Sequence, residues 1–116
     1  SITPSVLPQI QELARFLEKK PELRVIIDGH TSIIGTAQLN QILSDKRAKA
    51  VASVLVNDFN IAAERVSSIG YGFDRLADFA DSAAAHATNS RIMVELSETV
   101  SVDKMIWTIY TVDQVQ

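Results

Sequence analysis

The chain has 116 residues, a formal net charge of -3, 47% hydrophobic and 22% charged residues, and no cysteine. This composition is ordinary for one globular domain with a single core. The acidic balance argues against a nucleic-acid partner, no apolar run approaches the ~20 residues of a membrane span, and disulfide and thiolate chemistry are excluded.

The first predicted element is a helix that begins at Thr3-Pro4, because threonine caps a helix and proline fits its first turn. Its apolar residues recur at spacings of three and four and predict a core-facing stripe of Val6, Leu7, Ile10, Leu13, Ala14 and Leu17. Pro21 ends this helix. Residues 23–27 then predict a short strand with little alternation, which we expect to be buried on both faces.

A polar loop from Asp28 to Gly35 follows this strand, and Thr36 is the predicted cap of a second helix that extends to about Asn57. The predicted apolar set of this helix is Leu39, Ile42, Leu43, Ala50, Val51, Val54 and Leu55, opposite Gln41, Asp45, Lys49 and Ala52.

One face of the second helix predicts a binding pocket together with the loop. The residues that share this face at helical spacing are Asn40, Leu43, Ser44 and Arg47. A planar guanidinium can grip a carboxylate with two parallel hydrogen bonds, so we expect a pocket for a small polar ligand beside Thr31 and Ser32. The alternative is that Arg47 is a solvated surface arginine and that Thr36 is only a cap.

The second half of the chain predicts a helical turn at 62–65 and a strand at 66–69 that ends in Gly70-Tyr71-Gly72. Residues 73–88 form a long connection, in which 81–85 is an alternative short helix. Two β-prone runs follow, at 91–96 and 104–112; in the latter we expect Trp107 and Ile109 on one face and Ile106 and Thr108 on the other.

The sequence contains no motif typical of an enzyme or a metal site. His30 and His86 are the only histidines, and neither has a metal-ligand partner at a recognised spacing. We expect His30 to make a structural hydrogen bond beneath the loop. Neither a GxSxG motif nor a P-loop occurs, so no catalytic residue, metal or cofactor is predicted.

The ordered motifs resemble the OmpA-like C-terminal domain family found in outer membrane protein A, the Pal lipoprotein and MotB-type flagellar stators. The motifs that carry this resemblance are Gly29-His30-Thr31, Gly35, Asn40, Leu43-Ser44, Arg47-Ala48, Gly70-Tyr71-Gly72 and Asn89-Ser90-Arg91, within residues 3–97. The resemblance implies an α+β fold of βαβαβ type: a two-layer sandwich with a mixed sheet and helices on one face. We expect the family's first strand to be absent.

The predicted domain boundaries are 1–100 for the OmpA-like domain and 101–116 for an extra C-terminal strand. We expect this strand to pack on or extend the same sheet, since a sheet that lacks a strand exposes an edge. The alternative is that it pairs with another chain.

The resemblance also implies a non-catalytic module that binds peptidoglycan through the diaminopimelate of the stem peptide. In that family an aspartate binds the ammonium and a helix arginine, here Arg47, binds the carboxylate. The implied ligand-binding residues are Arg47, Ser32, Thr31, Asn40, Asn89 and Arg91. For Asn89 a bond to the loop backbone is favoured over a ligand contact, and for Arg91 both roles stay open.

Two charged residues of the family motifs are replaced in this chain. Ser32 stands at the aspartate position and Ser90 at the first arginine of the last motif. Asp45 is expected to point to another side of the helix, whereas three other acids are candidates to substitute: Asp28, Asp78 and Asp81.

Two functions therefore remain open. The first is an anchor that holds an envelope protein to the cell wall, in the periplasm and at the outer membrane of a Gram-negative bacterium. The second is a structural assembly domain of a secretion system or flagellar motor, which keeps the fold without the ligand and contacts other envelope subunits. Ser32 and Ser90 favour the second, and the retained Arg47 and Asn40 favour the first.

Overall fold

The computed structural model describes residues 4–79, 82–98 and 104–110. Its elements in chain order are α1 (Leu7–Lys19), β1 (Leu23–Gly29), α2 (Ala37–Asn57), a 3-10 turn (Ala63–Arg65), β2 (Val66–Gly70), α3 (Ala83–Asn89), β3 (Arg91–Glu98) and β4 (Lys104–Tyr110). The strands form one mixed sheet in the order β2-β1-β3-β4, in which β1 runs parallel to β2 and antiparallel to β3. The predicted α+β architecture is confirmed.

The core lies between one face of this sheet and helices α1 and α2. Its most completely buried large side chains are Ile10, Leu13, Leu17, Val25, Ile27, Leu55, Ile92, Val94, Leu96 and Ile109. Along β1 the buried Val25 and Ile27 alternate with the exposed Arg24 and the half-buried Ile26. The prediction that this strand is buried on both faces was wrong, because the helices cover only the face that Val25 and Ile27 share.

Helix α1 begins later than the sequence predicts. Its first residue is Leu7, its N-cap Val6 makes no side-chain capping bond, and Pro8 lies in its first turn. Proline suits this position because its missing N–H would have no partner within the helix. Leu7 is exposed, so its placement in the core stripe was wrong, whereas Val6, Ile10, Leu13, Ala14 and Leu17 are buried as predicted. Thr3, the predicted cap, lies outside the described residues.

Helix α2 begins and ends where the sequence predicts, but it faces the core with a different side. Thr36 Oγ1 accepts a hydrogen bond from the N–H of Leu39 at 3.1 Å and thereby caps the N-terminus of the helix. Its buried residues are Asn40, Ser44, Ala48, Val51 and Leu55, whereas Leu39, Ile42 and Leu43 are 63%, 45% and 39% exposed. The predicted apolar set was therefore wrong in its first turns. Among the described residues, no helix is long and apolar enough to cross a membrane.

The long connection between β2 and β3 contains a helix. α3 is capped by Ser82, whose Oγ accepts from the N–H of Ala85 at 3.1 Å, and it continues to Asn89. The alternative prediction of a short helix in this connection was therefore correct, although the helix spans Ala83–Asn89 and not residues 81–85.

Strand β4 extends the sheet beside β3. It pairs antiparallel to β3, with Ile109 opposite Ile92 and Trp107 opposite Val94. Ile109 is buried, the ring of Trp107 lies 5.7 Å from that of Phe16 on α1, and Ile106 is exposed on the other face. Gln9 of α1 also donates from Nε2 to the carbonyl oxygen of Tyr110 at 3.1 Å. Residues 111–112 of the predicted strand lie outside the described residues, and the domain boundaries remain a prediction.

Candidate functional site

The loop after β1 is joined to the start of β3 by a backbone bridge. The N–H of His30 donates to the carbonyl of Arg91 at 2.9 Å, and the N–H of Arg91 donates back at 3.3 Å. The next loop residue, Thr31, donates from its N–H to the carbonyl of Gly72 at 2.8 Å. In the chain, Thr31 follows His30 and Ser90 precedes Arg91, so these two residues flank the bridge. Both are buried. The structure brings three separate motifs together at this end of the sheet.

Asn40 holds the rest of the loop against the start of α2. Its Nδ2 donates to the carbonyls of Ile34 at 2.8 Å and Thr36 at 3.0 Å. Ser32 Oγ accepts from the N–H of Ile34 at 3.4 Å. Asn40 is 5% exposed and Ser32 8% exposed, so both positions sit within the folded loop. Asn40 therefore shapes the loop in which Ser32 lies.

Two glycines allow α2 to lie directly on the strands. A Cβ added at Gly29 would overlap the backbone carbonyl of Ser44 and approach the Cβ of Ala48 to 3.3 Å. A Cβ added at Gly70 would overlap Asp45 and approach Ser44 Oγ to 2.7 Å. This close approach explains why the face of α2 that packs on the sheet consists of small residues, while Leu39 and Leu43 remain exposed.

Arg47 adjoins Ala48 in α2, above the end of β1. Its side chain is half-buried, and this burial lowers the pKa of its guanidinium from the usual value. No residue in the described ranges 4–79, 82–98 and 104–110 accepts a hydrogen bond from it or forms an ion pair with it. A partly desolvated cation without an internal counterion is suited to an anionic ligand, because binding would supply the partner that the fold does not.

The positions of nearby acidic residues relative to Arg47 bear on whether one of them takes the place of the family aspartate. Asp28 lies opposite Met93 on the sheet face away from α2, so it lies on the other side of the sheet from Arg47. Asp45 lies against Gly70 at the β2 side of the helix, as expected for a side different from that of Arg47. Asp78 belongs to the 73–82 connection, and Asp81 lies outside the described residues.

Asn89 and Arg91 are bonded to backbone of the long connection. Asn89 Oδ1 accepts from the N–H groups of Ala77 at 2.8 Å and Asp78 at 2.9 Å, and its Nδ2 donates to the carbonyl of Asp78 at 2.7 Å. Arg91 donates to the carbonyls of Asn89 at 3.1 Å and Arg75 at 3.0 Å. The favoured backbone role of Asn89 is thus observed, and the observed bonds of Arg91 are of the same kind.

His30 is buried beneath the loop, but the contact observed for its side chain is ring stacking and not the predicted structural hydrogen bond. Its ring stacks on Tyr71 with centroids 5.4 Å apart, and its Nδ1 has no partner among the described residues. Burial, and then the charges of Arg91 and Arg75, lower the pKa of His30 to about 4. Sequence reasoning missed Tyr71 and Arg75, whose guanidinium carbon lies 3.9 Å from the Tyr71 ring centroid. The only signal was their position beside the Gly70–Gly72 turn.

Thr31 also carries a buried polar atom, its Oγ1, without a hydrogen-bond partner in the described part of the chain. Such atoms are uncommon in folded proteins, and a bound water, ion or ligand can supply the missing partner. No group of three or more His, Asp or Glu side chains within the described residues could hold a metal ion.

Comparison with known proteins gives concordant matches. The family model described as the OmpA family matches residues 1–91. Outer membrane porin F of Pseudomonas aeruginosa is 41% identical over 88 residues, which are 75% of this chain and 25% of the porin. The peptidoglycan-associated lipoprotein of Legionella pneumophila is 33% identical over 86 residues, 74% of this chain and 48% of the lipoprotein. The chain therefore spans between a quarter and a half of these relatives.

Among solved structures, the C-terminal domain of Helicobacter pylori MotB superposes with a TM-score of 0.78 at 20% identity. The superposition covers 86% of this chain and 78% of the MotB domain. At this identity the likeness concerns the fold.

Proposed function

The chain belongs to the OmpA family, and we propose on this basis that it is a non-catalytic module that binds peptidoglycan and anchors an envelope protein to the cell wall. The ligand group is the diaminopimelate of the stem peptide. The relative from Legionella pneumophila is described as peptidoglycan-associated, which supports this class of ligand. Relatives described as outer membrane proteins support a location in the periplasm, at the outer membrane of a Gram-negative bacterium.

The observation that carries this proposal is the state of Arg47. Its guanidinium is half-buried, its pKa is lowered by desolvation, and no described residue neutralises it. A stem-peptide carboxylate would accept two parallel hydrogen bonds from it. In the proposed site, Thr31 and the hydroxyl of Ser32 lie in the loop beside the ligand, while Asn40, Asn89 and Arg91 hold the surrounding loops.

The replacement of the family aspartate by Ser32 weakens the proposed interaction. A hydrogen bond to a charged partner contributes about 1.5–3 kcal/mol, so its loss corresponds to roughly 10- to 150-fold in affinity. Asp28 lies on the sheet face away from α2, and Asp45 lies on the side of α2 that faces Gly70. Neither therefore replaces the lost charge beside Arg47. We therefore expect a binding module of reduced affinity.

A second function is favoured by the surface around this site. The apolar side chains at the start of α2 and in the preceding loop are exposed by 39–64%: Ile33, Ile34, Leu39, Ile42 and Leu43. A cluster of this kind is typical of a protein–protein contact. In this alternative the domain is an assembly subunit of an envelope machine, such as a secretion system or flagellar motor, and has lost the cell-wall ligand.

Sedimentation with purified sacculi distinguishes the two functions. We expect weak binding of the wild type, loss of binding in Arg47→Ala, and stronger binding in the double variant Ser32→Asp/Ser90→Arg, which restores the family charges. Arg15→Ala is the matched control, because Arg15 is an exposed arginine of α1. If the double variant stays at the background level while remaining folded, the pocket is lost and the assembly function is the better one.

A further inference from the structure

The start of α2 and the loop before it form an apolar patch on the surface of the domain. Leu39, Ile42 and Leu43 share one face of the helix, because they lie three and four residues apart. Asn40 Nδ2 donates to the carbonyl of Ile34 at 2.8 Å and so holds the loop beside this face. The side chains of the patch are exposed by 39–64%: Ile33, Ile34, Leu39, Ile42 and Leu43. Exposed apolar patches of this kind mark contact sites for proteins or membranes.

The backbone at the tip of the apolar patch is already hydrogen-bonded within the loop. The carbonyl of Ile34 accepts from Asn40 Nδ2, and the N–H of Ile34 donates to Ser32 Oγ at 3.4 Å. The carbonyl of Thr36 accepts from the same Nδ2 at 3.0 Å, and Thr36 Oγ1 accepts from the N–H of Leu39. A backbone group that loses water without gaining another partner costs free energy, and hydrocarbon offers no partner. These groups can therefore enter an apolar environment without that cost.

Two lysines continue the exposed face of α2 beyond the apolar patch. Lys46 lies four residues after Ile42, and Lys49 lies three residues after Lys46, so they follow at helical spacing. Both are exposed, and neither forms a hydrogen bond or ion pair within residues 4–79, 82–98 and 104–110. At about 1.5 Å per residue, these lysines lie roughly 6–10 Å farther along the helix than Ile42.

The composition of this surface favours a lipid bilayer over a protein partner. Protein interfaces are enriched in aromatic residues, methionine and arginine, and they are depleted in lysine. The apolar patch consists instead of isoleucine and leucine, and lysines follow it. Segments that lie on membranes bury their apolar side chains about 5–10 Å into the headgroup and acyl boundary, while their lysines meet anionic headgroups. The distance between the patch and the lysines along α2 matches this depth.

We propose that this surface docks on a bilayer that contains anionic phospholipids. Ile33, Ile34 and Leu39 enter the boundary between the headgroups and the acyl chains. The ammonium groups of Lys46 and Lys49 contact the lipid phosphates, which their long aliphatic stems allow them to reach. The contact does not require Arg47, so it is independent of the proposed binding of peptidoglycan.

The test is sedimentation of the whole 116-residue chain with vesicles of phosphatidylethanolamine and phosphatidylglycerol. We expect binding to these anionic vesicles and at least about tenfold weaker binding to vesicles of phosphatidylcholine alone, because each lysine near an anionic surface contributes roughly fivefold. The vesicles contain no peptidoglycan, so the result does not depend on the proposed ligand of Arg47.

The apolar part of the contact is tested by two double variants. Ile34→Gln/Leu39→Gln should weaken vesicle binding at least about tenfold, because the two side chains would no longer favour burial. Glutamine is a good helix former, so α2 should be retained, and circular dichroism checks this. Ile69→Gln/Ile106→Gln is the matched control, because these side chains are exposed on the sheet and lie outside the apolar patch. It should leave vesicle binding unchanged.

The charged part of the contact is tested at constant net charge. Lys46→Gln/Lys49→Gln should weaken binding to the anionic vesicles at least about tenfold. Lys19→Gln/Lys20→Gln removes the same number of charges from the end of α1, where both lysines are exposed. This control should leave binding nearly unchanged, and an equal loss in both variants would mean that Lys46 and Lys49 do not form the contact.

A fluorophore reports which part of the surface enters the bilayer. Because the chain has no cysteine, a single introduced cysteine can carry a polarity-sensitive label. With anionic vesicles we expect a blue shift of the emission for Ile34→Cys and none for Ser53→Cys, which is exposed farther along α2. Absence of vesicle binding, equal binding to both kinds of vesicle, or unchanged binding in Ile34→Gln/Leu39→Gln would each overturn the proposal. Self-association that this variant abolishes, without vesicle binding, would overturn it and assign the apolar patch to a second copy of the chain.

Discussion

Ser44 joins α2 to the turn after β2 through Gly72. Its Oγ accepts from the buried N–H of Gly72 at 2.8 Å and lies 3.0 Å from the carbonyl of Gln41, to which it donates. Ser44 is fully buried. The carbonyl of Gly72 meanwhile accepts from the N–H of Thr31, so this one hydroxyl connects the helix, the turn and the binding loop.

The first prediction concerns this hydroxyl. Ser44→Ala should lower the free energy of unfolding by about 1–3 kcal/mol, since the Gly72 N–H would be buried without an acceptor. Urea unfolding followed by circular dichroism measures the change. Ser53→Ala, at an exposed position of the same helix, is the control and should have little effect. Equal stability of the two variants would contradict the role assigned to Ser44.

Asn89 should stabilise the connection between β2 and α3 through three bonds. Asn89→Ala removes two acceptor contacts and one donor contact, so we expect a loss of about 2–3 kcal/mol in the free energy of unfolding. Asn89→Asp keeps the acceptors for Ala77 and Asp78 and should fall between the wild type and the alanine variant. Hydrogen exchange at the Ala77 and Asp78 amides is the local readout. Unchanged protection of these amides in Asn89→Ala would show that the bonds do not hold the connection.

His30 should make the domain less stable in acid. Its pKa is about 4 in the folded protein and 6.5 in the unfolded chain. Above pH 6.5 neither state binds the proton, and between 6.5 and 4 only the unfolded state does. Stability should therefore fall as the pH falls through this window, by about 2–3 kcal/mol at pH 4.5, and the loss should level off below pH 4.

Variants at this site separate the histidine from the other titrating groups. His30→Gln should lose less stability than the wild type between pH 7 and pH 4.5, because it has no ring to protonate. Arg75→Ala removes one of the charges that lower the pKa of His30, so its loss should be intermediate. Urea midpoints at both pH values provide the measurement. The same loss in His30→Gln as in the wild type would assign the acid sensitivity elsewhere.

Arg47 should contribute little to stability although it is half-buried. Because no described residue neutralises its guanidinium, Arg47→Met should leave the free energy of unfolding unchanged or raise it, while sacculus binding is lost. Thermal unfolding and sedimentation of the same preparation measure the two effects. A loss of more than about 2 kcal/mol would mean that Arg47 has a structural partner in the fold and not a free ligand-binding role.

The helix bounds of α2 could be predicted because their signals are local. Thr36 caps the helix through Leu39, three residues away, and the helical pattern continues to Asn57. The face that α2 buries could not be predicted from hydrophobicity. It depends on Gly29 and Gly70, which lie on two different strands and admit small helix residues at short range.

The motifs predict which residues share one end of the sheet, but they do not predict the electrostatics there. The motifs place Thr31, Asn40 and Arg47 at one end of the sheet, but burial decides that Arg47 is partly desolvated. The stacking of His30, Tyr71 and Arg75 joins residues up to 45 positions apart, and no spacing rule links them. The sequence therefore predicts which residues gather beside the loop, their role in binding stays a prediction, and the contacts of Tyr71 and Arg75 were missed.

The contact of α1 with β4 has a consequence for the order of folding. Gln9 bonds to Tyr110 across a separation of 101 residues, and Phe16 packs near Trp107. Contacts between distant parts of a chain slow folding, because a long loop must close before they form. While the polypeptide emerges from the ribosome, the part of α1 around Phe16 that contacts β4 therefore stays uncovered until that strand has been made, and this exposed apolar surface favours aggregation during that time.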